Sequence, residues 1–131
     1  MEQKSLQKSH TGKNLILNFI DESQTCSRYQ FYASVAHKEG YKKVGSIFLE
    51  MAGQNFEHAK RLFKFLEGVK TTSDTQYPID LLSNTNNNLL IAVQLEHQSW
   101  CDNYPSCLKI AQEEGWYDVV EIYEQIILTK Q

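Results

Sequence analysis

The sequence predicts an all-α protein, namely an antiparallel four-helix bundle built from two repeated helix hairpins. Three observations lead to this fold class. Apolar residues recur at helical spacing, without the alternation that marks a strand. The chain has only six glycines and two prolines, and Gly40, Gly68 and Gly115 each directly follow a long periodic stretch. A segment around the first hairpin turn is also repeated later in the chain.

Four helices are expected, at Gly12–Glu39, Tyr41–Glu67, Asn84–Glu114 and Trp116–Gln131. Very short turns join the first helix to the second and the third to the fourth, so each pair should form an antiparallel hairpin. A long loop, Gly68–Ser83, must then cross the bundle, and Pro105 should kink the third helix. The 131 residues suit one domain, with residues 1–11 as a polar N-terminal arm.

The internal repeat relates the two hairpins. The segment KEGYKKVGSIFLEMA at 38–52 matches EEGWYDVVEIYEQII at 113–127, which lies 75 positions later. Tyr29 and Tyr104 are separated by the same 75 positions. A hairpin that occurs twice predicts a bundle with a pseudo-two-fold axis, in which inward side chains from all four helices surround one centre.

Composition excludes several classes of partner. A net charge of −3 and a pI near 5.8 disfavour binding to nucleic acid or to an anionic membrane. No run approaches the roughly 18–20 apolar residues of a membrane span, and the polar N-terminus lacks a secretory signal. Cys26, Cys101 and Cys107 form no C-x-x-C pair, which favours a cytoplasmic protein in which Cys26 and Cys101 are core or boundary residues.

Polar residues interrupt the apolar stripes at related places. Glu22 lies between Phe19 and Cys26 in the first helix, and Glu96 lies between Val93 and Trp100 in the third. The second helix adds Asn55 and His58. Each residue alone is more often found at a face boundary, where it reaches water. Two glutamates at repeat-related places with a histidine facing them instead suit a metal such as iron, manganese or zinc. Tyr29 and Tyr104 are core aromatics whose hydroxyls could donate to the two carboxylates.

Three segments carry a resemblance to a known family: ESQTCSRYQFYASVAHKEGY, IFLEMAGQNFEHAKRLFKFLEG and NYPSCLKIAQEEGW. They resemble the rubrerythrins over about Thr11 to Gln131. The resemblance implies a ferritin-like four-helix bundle with a non-haem diiron centre that reduces hydrogen peroxide. It also implies dimerisation, and electron supply from a rubredoxin domain with two C-x-x-C knuckles. This sequence has no such knuckles, so a redox role would need a separate electron donor.

The family's metal ligands carry over only in part. The ligand positions that match are Glu22, His58 and Glu96. Where the family has further carboxylates, this sequence has Asn55, Ser99 and Lys130. The last histidine ligand would fall at position 133, beyond the end of the sequence. An asparagine is a neutral, weak oxygen donor, and the ammonium of Lys130 would repel a cation and could pair with a glutamate instead.

Two functional hypotheses follow, with iron storage a third that has little support. The favoured one is a non-catalytic rubrerythrin relative, a structural or interaction module. It would hold at most one metal ion at Glu22, His58 and Glu96, or a metal-free charge network with Lys130. The alternative is a peroxide reductase with an altered or dimer-completed diiron site, with Tyr29 and Tyr104 as supporting donors. Because the fourth helix is short, apolar residues such as Leu62 and Phe65 should be exposed, and a second chain is expected to cover them in a homodimer or higher oligomer.

Overall fold

The computed structural model describes residues 9–66 and 82–130, and within them every regular element is a helix, with no strand. The helices are α1 (His10–Lys38), α2 (Lys42–Phe65), α3 (Thr85–Gln98), α4 (Tyr104–Glu114) and α5 (Tyr117–Lys130). The all-α bundle predicted from the sequence is confirmed. The predicted crossover loop and polar arm lie largely outside the described residues, except that Ser9 caps α1 and the helix begins at His10, inside that arm.

The two hairpins end their first helices in the same way. Gly40 and Gly115 have φ angles of 86° and 79°, and each follows the last turn of a helix. The next residue then donates its backbone N–H back across that turn, from Tyr41 to Ala36 at 2.8 Å and from Trp116 to Ala111 at 3.0 Å. Glycine suits this left-handed position because it has no Cβ to clash. The sequence repeat therefore reproduces one helix–turn–helix geometry twice.

A matched pair of glycine substitutions tests this backbone assignment. Gly40→Ala should destabilise the protein by about 1–2 kcal/mol, since an L-residue is strained at positive φ. Gly53→Ala, inside α2 and with open space around its Cβ position, should instead stabilise it by about 0.5–1 kcal/mol. Urea unfolding of both variants gives the two free energies of unfolding. If they changed in the same direction, the left-handed conformation at Gly40 would be wrong.

The predicted third helix is one helical stretch with a π-helical turn inside it. This turn, Ser99–Asn103, lies between α3 and α4, and Pro105 stands in the first turn of α4. The repeat separation changes across it, from 74 positions for Glu22 and Glu96 to 75 for Tyr29 and Tyr104. The π-helical turn accommodates the one extra residue. Glu22 and Glu96, like Tyr29 and Tyr104, therefore keep equivalent places in the two halves. The π-helical turn comes before Pro105, the residue that was expected to kink this helix.

Reciprocal hydrogen bonds tie the start of one long helical stretch to the end of the other. Glu114 accepts from the backbone N–H of Thr11 at 2.7 Å, and Glu39 accepts from that of Thr85 at 2.7 Å. The side-chain and backbone hydrogen bonds from Thr85 lower the pKa of Glu39. Desolvation acts to raise the pKa of Glu114, but the hydrogen bonds from Thr11 and His10 outweigh it and the pKa is also lowered.

These lowered pKa values predict an acid-sensitive contribution to stability. It is present above the pKa of the unfolded carboxyl, about 4.3, and is lost as pH falls through the folded value. The Glu39→Gln, Glu114→Gln double variant should therefore lose stability at neutral pH and show a shallower decline in acid. Urea unfolding at a series of pH values measures both effects. An acid limb identical to that of the unsubstituted protein would contradict the assignment.

The core consists of two buried apolar clusters. The first contains Leu15, Leu62, Tyr104, Ala111, Val119, Val120, Tyr123 and Ile126. The second contains Tyr29, Tyr32, Ala33, Phe48, Ala52 and Ala92. Leu62 is fully buried in the first cluster, so the prediction that it is exposed and needs a second chain is wrong; Phe65 is half-buried against the same cluster. Side chains from α5 pack where a gap was expected.

Polar side chains lie between the two apolar clusters. Glu22 comes seven residues after Leu15 and seven before Tyr29, and Asn55 comes seven after Phe48 and seven before Leu62. Seven residues are about two helical turns, so each of these polar residues lies on the inward face of its helix between the two clusters. No described helix is long and apolar enough to cross a membrane.

Candidate functional site

Four side chains meet between the apolar clusters. Glu22 comes from α1, Asn55 and His58 come from α2, and Tyr104 comes from the start of α4. Asn55 and His58 are three residues apart, so they project from the same face of α2. All four side chains are buried, which makes their hydrogen bonding decisive for whether this arrangement is stable.

Glu22 is the centre of this arrangement, with only 1% of its surface exposed. Its Oε1 accepts from the hydroxyl of Tyr104 at 2.6 Å, and its Oε2 accepts from Nδ2 of Asn55 at 2.7 Å. A carboxylate taken out of water needs such donors, and short hydrogen bonds to a charged acceptor are among the strongest in proteins. Both oxygens of Glu22 are therefore stabilised by neutral side chains of the chain itself.

His58 lies beside Glu22 without a hydrogen bond to it. Its Nδ1 is 3.6 Å from Oε1 of Glu22, which is beyond hydrogen-bond range. Within the described residues, Nδ1 of His58 and Oδ1 of Asn55 are buried side-chain atoms without a hydrogen-bond partner. Such atoms are uncommon in folded proteins, and each calls for an explanation.

Burial also fixes the role of the tyrosine. Desolvation raises the pKa of Tyr104 well above its ordinary value, and the nearby charge of Glu22 raises it further. The hydroxyl therefore stays protonated and remains a donor. Its ring packs against Tyr123 with centroids 5.7 Å apart. Tyr123 in turn accepts a hydrogen bond of 2.8 Å from Nδ2 of Asn18, and burial raises its pKa as well.

Asn18 is a contributor that the sequence interpretation missed. It is buried one turn before Glu22 on α1, and its Nδ2 also lies 3.5 Å from the sulfur of Cys107. The signal for it was present, because position 18 is four residues before Glu22 and thus on the same face. An asparagine was simply less conspicuous there than a carboxylate.

The second glutamate is placed differently. Tyr29 donates to Oε1 of Glu96 at 2.8 Å, so both tyrosines donate to glutamates, as expected, and each does so to the glutamate of the other half. Glu96 is only partly buried, however, and borders an apolar groove between α2 and α3. The groove is lined by Val44, Ile47, Phe48, Met51, Leu89, Ala92, Val93, Glu96 and His97.

Two other positions singled out from the sequence are Ser99 and Lys130. Ser99 is buried at the start of the π-helical turn, and the side chain of Lys130 lies outside the described part of the structure. Among the residues that are described, no group of three or more His, Cys, Asp and Glu side chains could hold a metal ion. The structure thus brings Glu22 and His58 together with Asn55 and Tyr104, and sets Glu96 beside Tyr29.

Comparisons with known proteins agree with this fold. The family model for rubrerythrin matches residues 13–129, which is most of the chain. The chain belongs to the rubrerythrin family. It is 42% identical to a rubrerythrin of Porphyromonas gingivalis over 94% of this chain and 62% of that protein. It is 38% identical to a rubrerythrin of Nitratidesulfovibrio vulgaris over 98% of this chain and 67% of that one. The chain thus spans roughly two thirds of the length of these relatives.

The described side chains around Glu22 carry little of the negative charge that a pair of iron ions calls for. Two cations held close together need several anionic ligands to offset their mutual repulsion. Around Glu22 the structure provides one buried carboxylate, whose two oxygens already accept hydrogen bonds from Tyr104 and Asn55. Ser99 adds no charge at the other substituted position that the structure describes.

Proposed function

We propose that this chain is a non-catalytic member of the rubrerythrin family, a single ferritin-like module that holds at most one metal ion. The observation that carries this proposal is the state of Glu22. Asn55 stands where the family resemblance places a carboxylate ligand, and its amide Nδ2 donates a hydrogen bond to Glu22. With Tyr104 on the other oxygen, the carboxylate is satisfied by neutral donors.

This polar cluster has a structural role in the proposal. Glu22, Asn55 and Tyr104 join α1, α2 and α4 by two short hydrogen bonds in the interior. Both hydrogen bonds connect distant parts of the chain and sit between two apolar clusters. The cluster would therefore fix the relative positions of the helices, which is the function that remains for a module of this kind when the diiron chemistry is lost.

A homodimer is part of the proposal, as the family resemblance suggests. Exposed aromatic side chains on the outer face of α2 support it, namely Phe56 and Phe63, which flank a groove that also includes Phe19 of α1. Light scattering after size exclusion should give twice the chain mass, and a Phe56→Glu, Phe63→Glu variant should give the chain mass. A monodisperse monomer of the unsubstituted chain would refute the dimer.

The alternative function is a rubrerythrin-type peroxide reductase supplied with electrons by a separate protein. One observation favours it. The tyrosine hydrogen bonds to the two glutamates are related by the internal repeat, as expected of groups that support paired iron ligands. In that case Glu22 and Glu96 would be ligands, His58 a ligand that can move, and Tyr29 and Tyr104 their supporting donors.

Iron loading distinguishes the two functions. The purified chain is supplied with ferrous iron without oxygen, desalted, and measured for metal content and for iron oxidation on addition of hydrogen peroxide. The proposal predicts fewer than two irons per chain, because one buried carboxylate cannot offset two cations. Two irons per chain that are oxidised by peroxide would establish the enzyme instead.

Restoring carboxylates tests whether the site is latent. The Asn55→Glu, Lys130→Glu double variant should bind ferrous iron more tightly than the unsubstituted chain, because two family ligand positions regain their charge. The matched control is the Gln54→Glu, Lys130→Glu double variant. It adds the same charge as the test variant but places it on the exposed face of α2. Equal iron affinity in the test and control variants would show that other positions, such as Ser99, limit binding.

A further inference from the structure

The internal repeat relates the first apolar cluster of the core to the apolar groove between α2 and α3. The matched residues on α1 and α3 are 74 positions apart, and they are Leu15 with Leu89 and Phe19 with Val93. The matched residues on α2 and α5 are 75 positions apart, and they are Val44 with Val119, Ile47 with Ile122, Phe48 with Tyr123 and Met51 with Ile126. In each pair one residue packs in or against the first cluster and the other lines the groove.

A helix fills only one of these two related places. In the first cluster, Leu62 and Phe65 from the second half of α2 pack between the residues of α1 and α5, and Leu15 is 0% exposed. The groove remains open among the described residues, and Val93 and Ile47 in its walls are 65% and 49% exposed. The groove is therefore the counterpart of a space that a helix occupies elsewhere in the same chain.

We propose that this groove is a docking site for an amphipathic helix of a partner protein. The partner helix presents a leucine and a phenylalanine three residues apart, as α2 presents Leu62 and Phe65 to the first cluster. Apolar side chains at such spacing are the usual anchors of a helix in a groove. The groove has a volume of about 340 Å³, within the size range of binding clefts. This inference goes beyond the proposed function, because it does not depend on whether the central cluster holds a metal ion.

The partner helix also carries a basic residue, as an exposed contact of α2 indicates. Arg61 donates to Oε1 of Gln125 on α5 at 3.0 Å. The residue that matches Gln125 on α2, 75 positions earlier, is the exposed Glu50. A helix seated in the groove as α2 is seated on the first cluster places its counterpart of Arg61 beside Glu50. A carboxylate there replaces a neutral amide, so the charge favours arginine or lysine on the partner.

The surface around the groove also suits a protein partner. Leu90 is 63% exposed and lies one turn before Val93 on α3, so the apolar surface continues beyond the walls of the groove. Extended apolar surface of this kind marks interaction sites. A second copy of the chain is a poorer occupant. Its own Leu62 and Phe65 are already packed in its first cluster, and the proposed dimer uses a different face of α2.

A peptide with the sequence of residues 55–66 is the probe, because it carries arginine, leucine and phenylalanine in the required spacing. Labelled with fluorescein and titrated with the full chain, it should show saturable binding by fluorescence anisotropy. Val93→Lys should weaken this binding by about tenfold or more, because it places a charge in an apolar contact. Leu128→Lys makes the same change at an exposed leucine of α5 and should leave binding unchanged. Absence of saturable binding, or equal binding by the two variants, would overturn the proposal.

Charge reversal tests how the helix is seated. Glu50→Lys should weaken binding of the peptide by about two- to fivefold, the effect expected of an exposed ion pair. A peptide with Arg61→Glu should bind the Glu50→Lys variant more tightly than it binds the unsubstituted chain. If the reversed pair showed no such recovery, the arginine would not lie beside Glu50 and the proposed seating would be wrong.

A further variant and light scattering distinguish the remaining outcomes. Ile47→Lys changes the α2 wall of the groove, and it replaces Val93→Lys in the test if that variant fails to fold. If Val93→Lys converted a dimer of the chain into a monomer, a second copy would occupy the groove and the partner helix would be wrong. Failure of the peptide to bind overturns only this docking site, whereas two irons per chain with peroxide-dependent oxidation overturn only the proposed function.

Discussion

Replacing Leu62 by alanine is expected to lower the free energy of unfolding by about 3 kcal/mol, the largest effect of any single substitution considered for this chain. Leu62 is fully buried, at 0% exposure, in the cluster that joins α1, α2, α4 and α5. Truncation removes apolar contacts and leaves a cavity, because a close-packed interior relaxes only in part. Urea unfolding followed by circular dichroism measures the change.

Leu49→Ala provides the matched control for this prediction. Leu49 is on the same helix and is 48% exposed, so its truncation should cost less than about 1 kcal/mol. A small loss in Leu62→Ala, similar to that in Leu49→Ala, would show that α5 does not cover Leu62. In that case the sequence-based expectation of an exposed Leu62 would be restored.

The sequence predicted the helices well because their end signals are local. The four predicted helices agree with the structure to within about two residues at the boundaries that are described. Gly40 and Gly115 mark the turns because both have a positive φ angle, which glycine adopts at no steric cost. The π-helical turn was not predicted, since its trace in the sequence is only a change of one in the spacing of the repeat.

Burial was predicted less well because it depends on where helices cross. By helical spacing alone, both Ile47 and Leu62 belong to the apolar stripe of the second helix. In the structure Leu62 is buried, whereas Ile47 is about half exposed. The difference arises because α5 packs alongside one end of α2, and no local pattern specifies how a neighbour from 60 residues away is aligned.

The residues of the polar site could be predicted from the sequence, but their contacts could not, because contacts also depend on where helices cross. Glu22, His58 and Tyr104 were identified because a carboxylate, an imidazole or a phenol on an apolar stripe is conspicuous. The sequence could not tell that Glu22 meets Asn55 and Tyr104, nor that Glu96 lies at a half-exposed rim. These differences follow from tertiary packing, in which two repeat-related glutamates have unequal surroundings.

The unequal burial of Glu22 and Glu96 predicts that Tyr104→Phe and Tyr29→Phe lower the free energy of unfolding by different amounts. Tyr104→Phe removes the hydroxyl that donates to Glu22, whose carboxylate is almost completely buried. Glu22 then has one donor fewer and little access to water in its place, so the free energy of unfolding should fall by about 2 kcal/mol. The ring and its packing against Tyr123 are retained, which isolates the hydrogen bond. Urea unfolding in a metal chelator gives the value.

Tyr29→Phe is the internal control, because the repeat relates Tyr29 to Tyr104 and it too is buried and donates to a glutamate. Its acceptor Glu96 is only partly buried, so water can replace the lost hydroxyl and the cost should be about 1 kcal/mol or less. The comparison holds the residue type, the substitution and the helix context nearly constant, and it varies only the burial of the acceptor. If Tyr29→Phe were as costly as Tyr104→Phe, burial of Glu22 would not be what makes the central cluster important for stability.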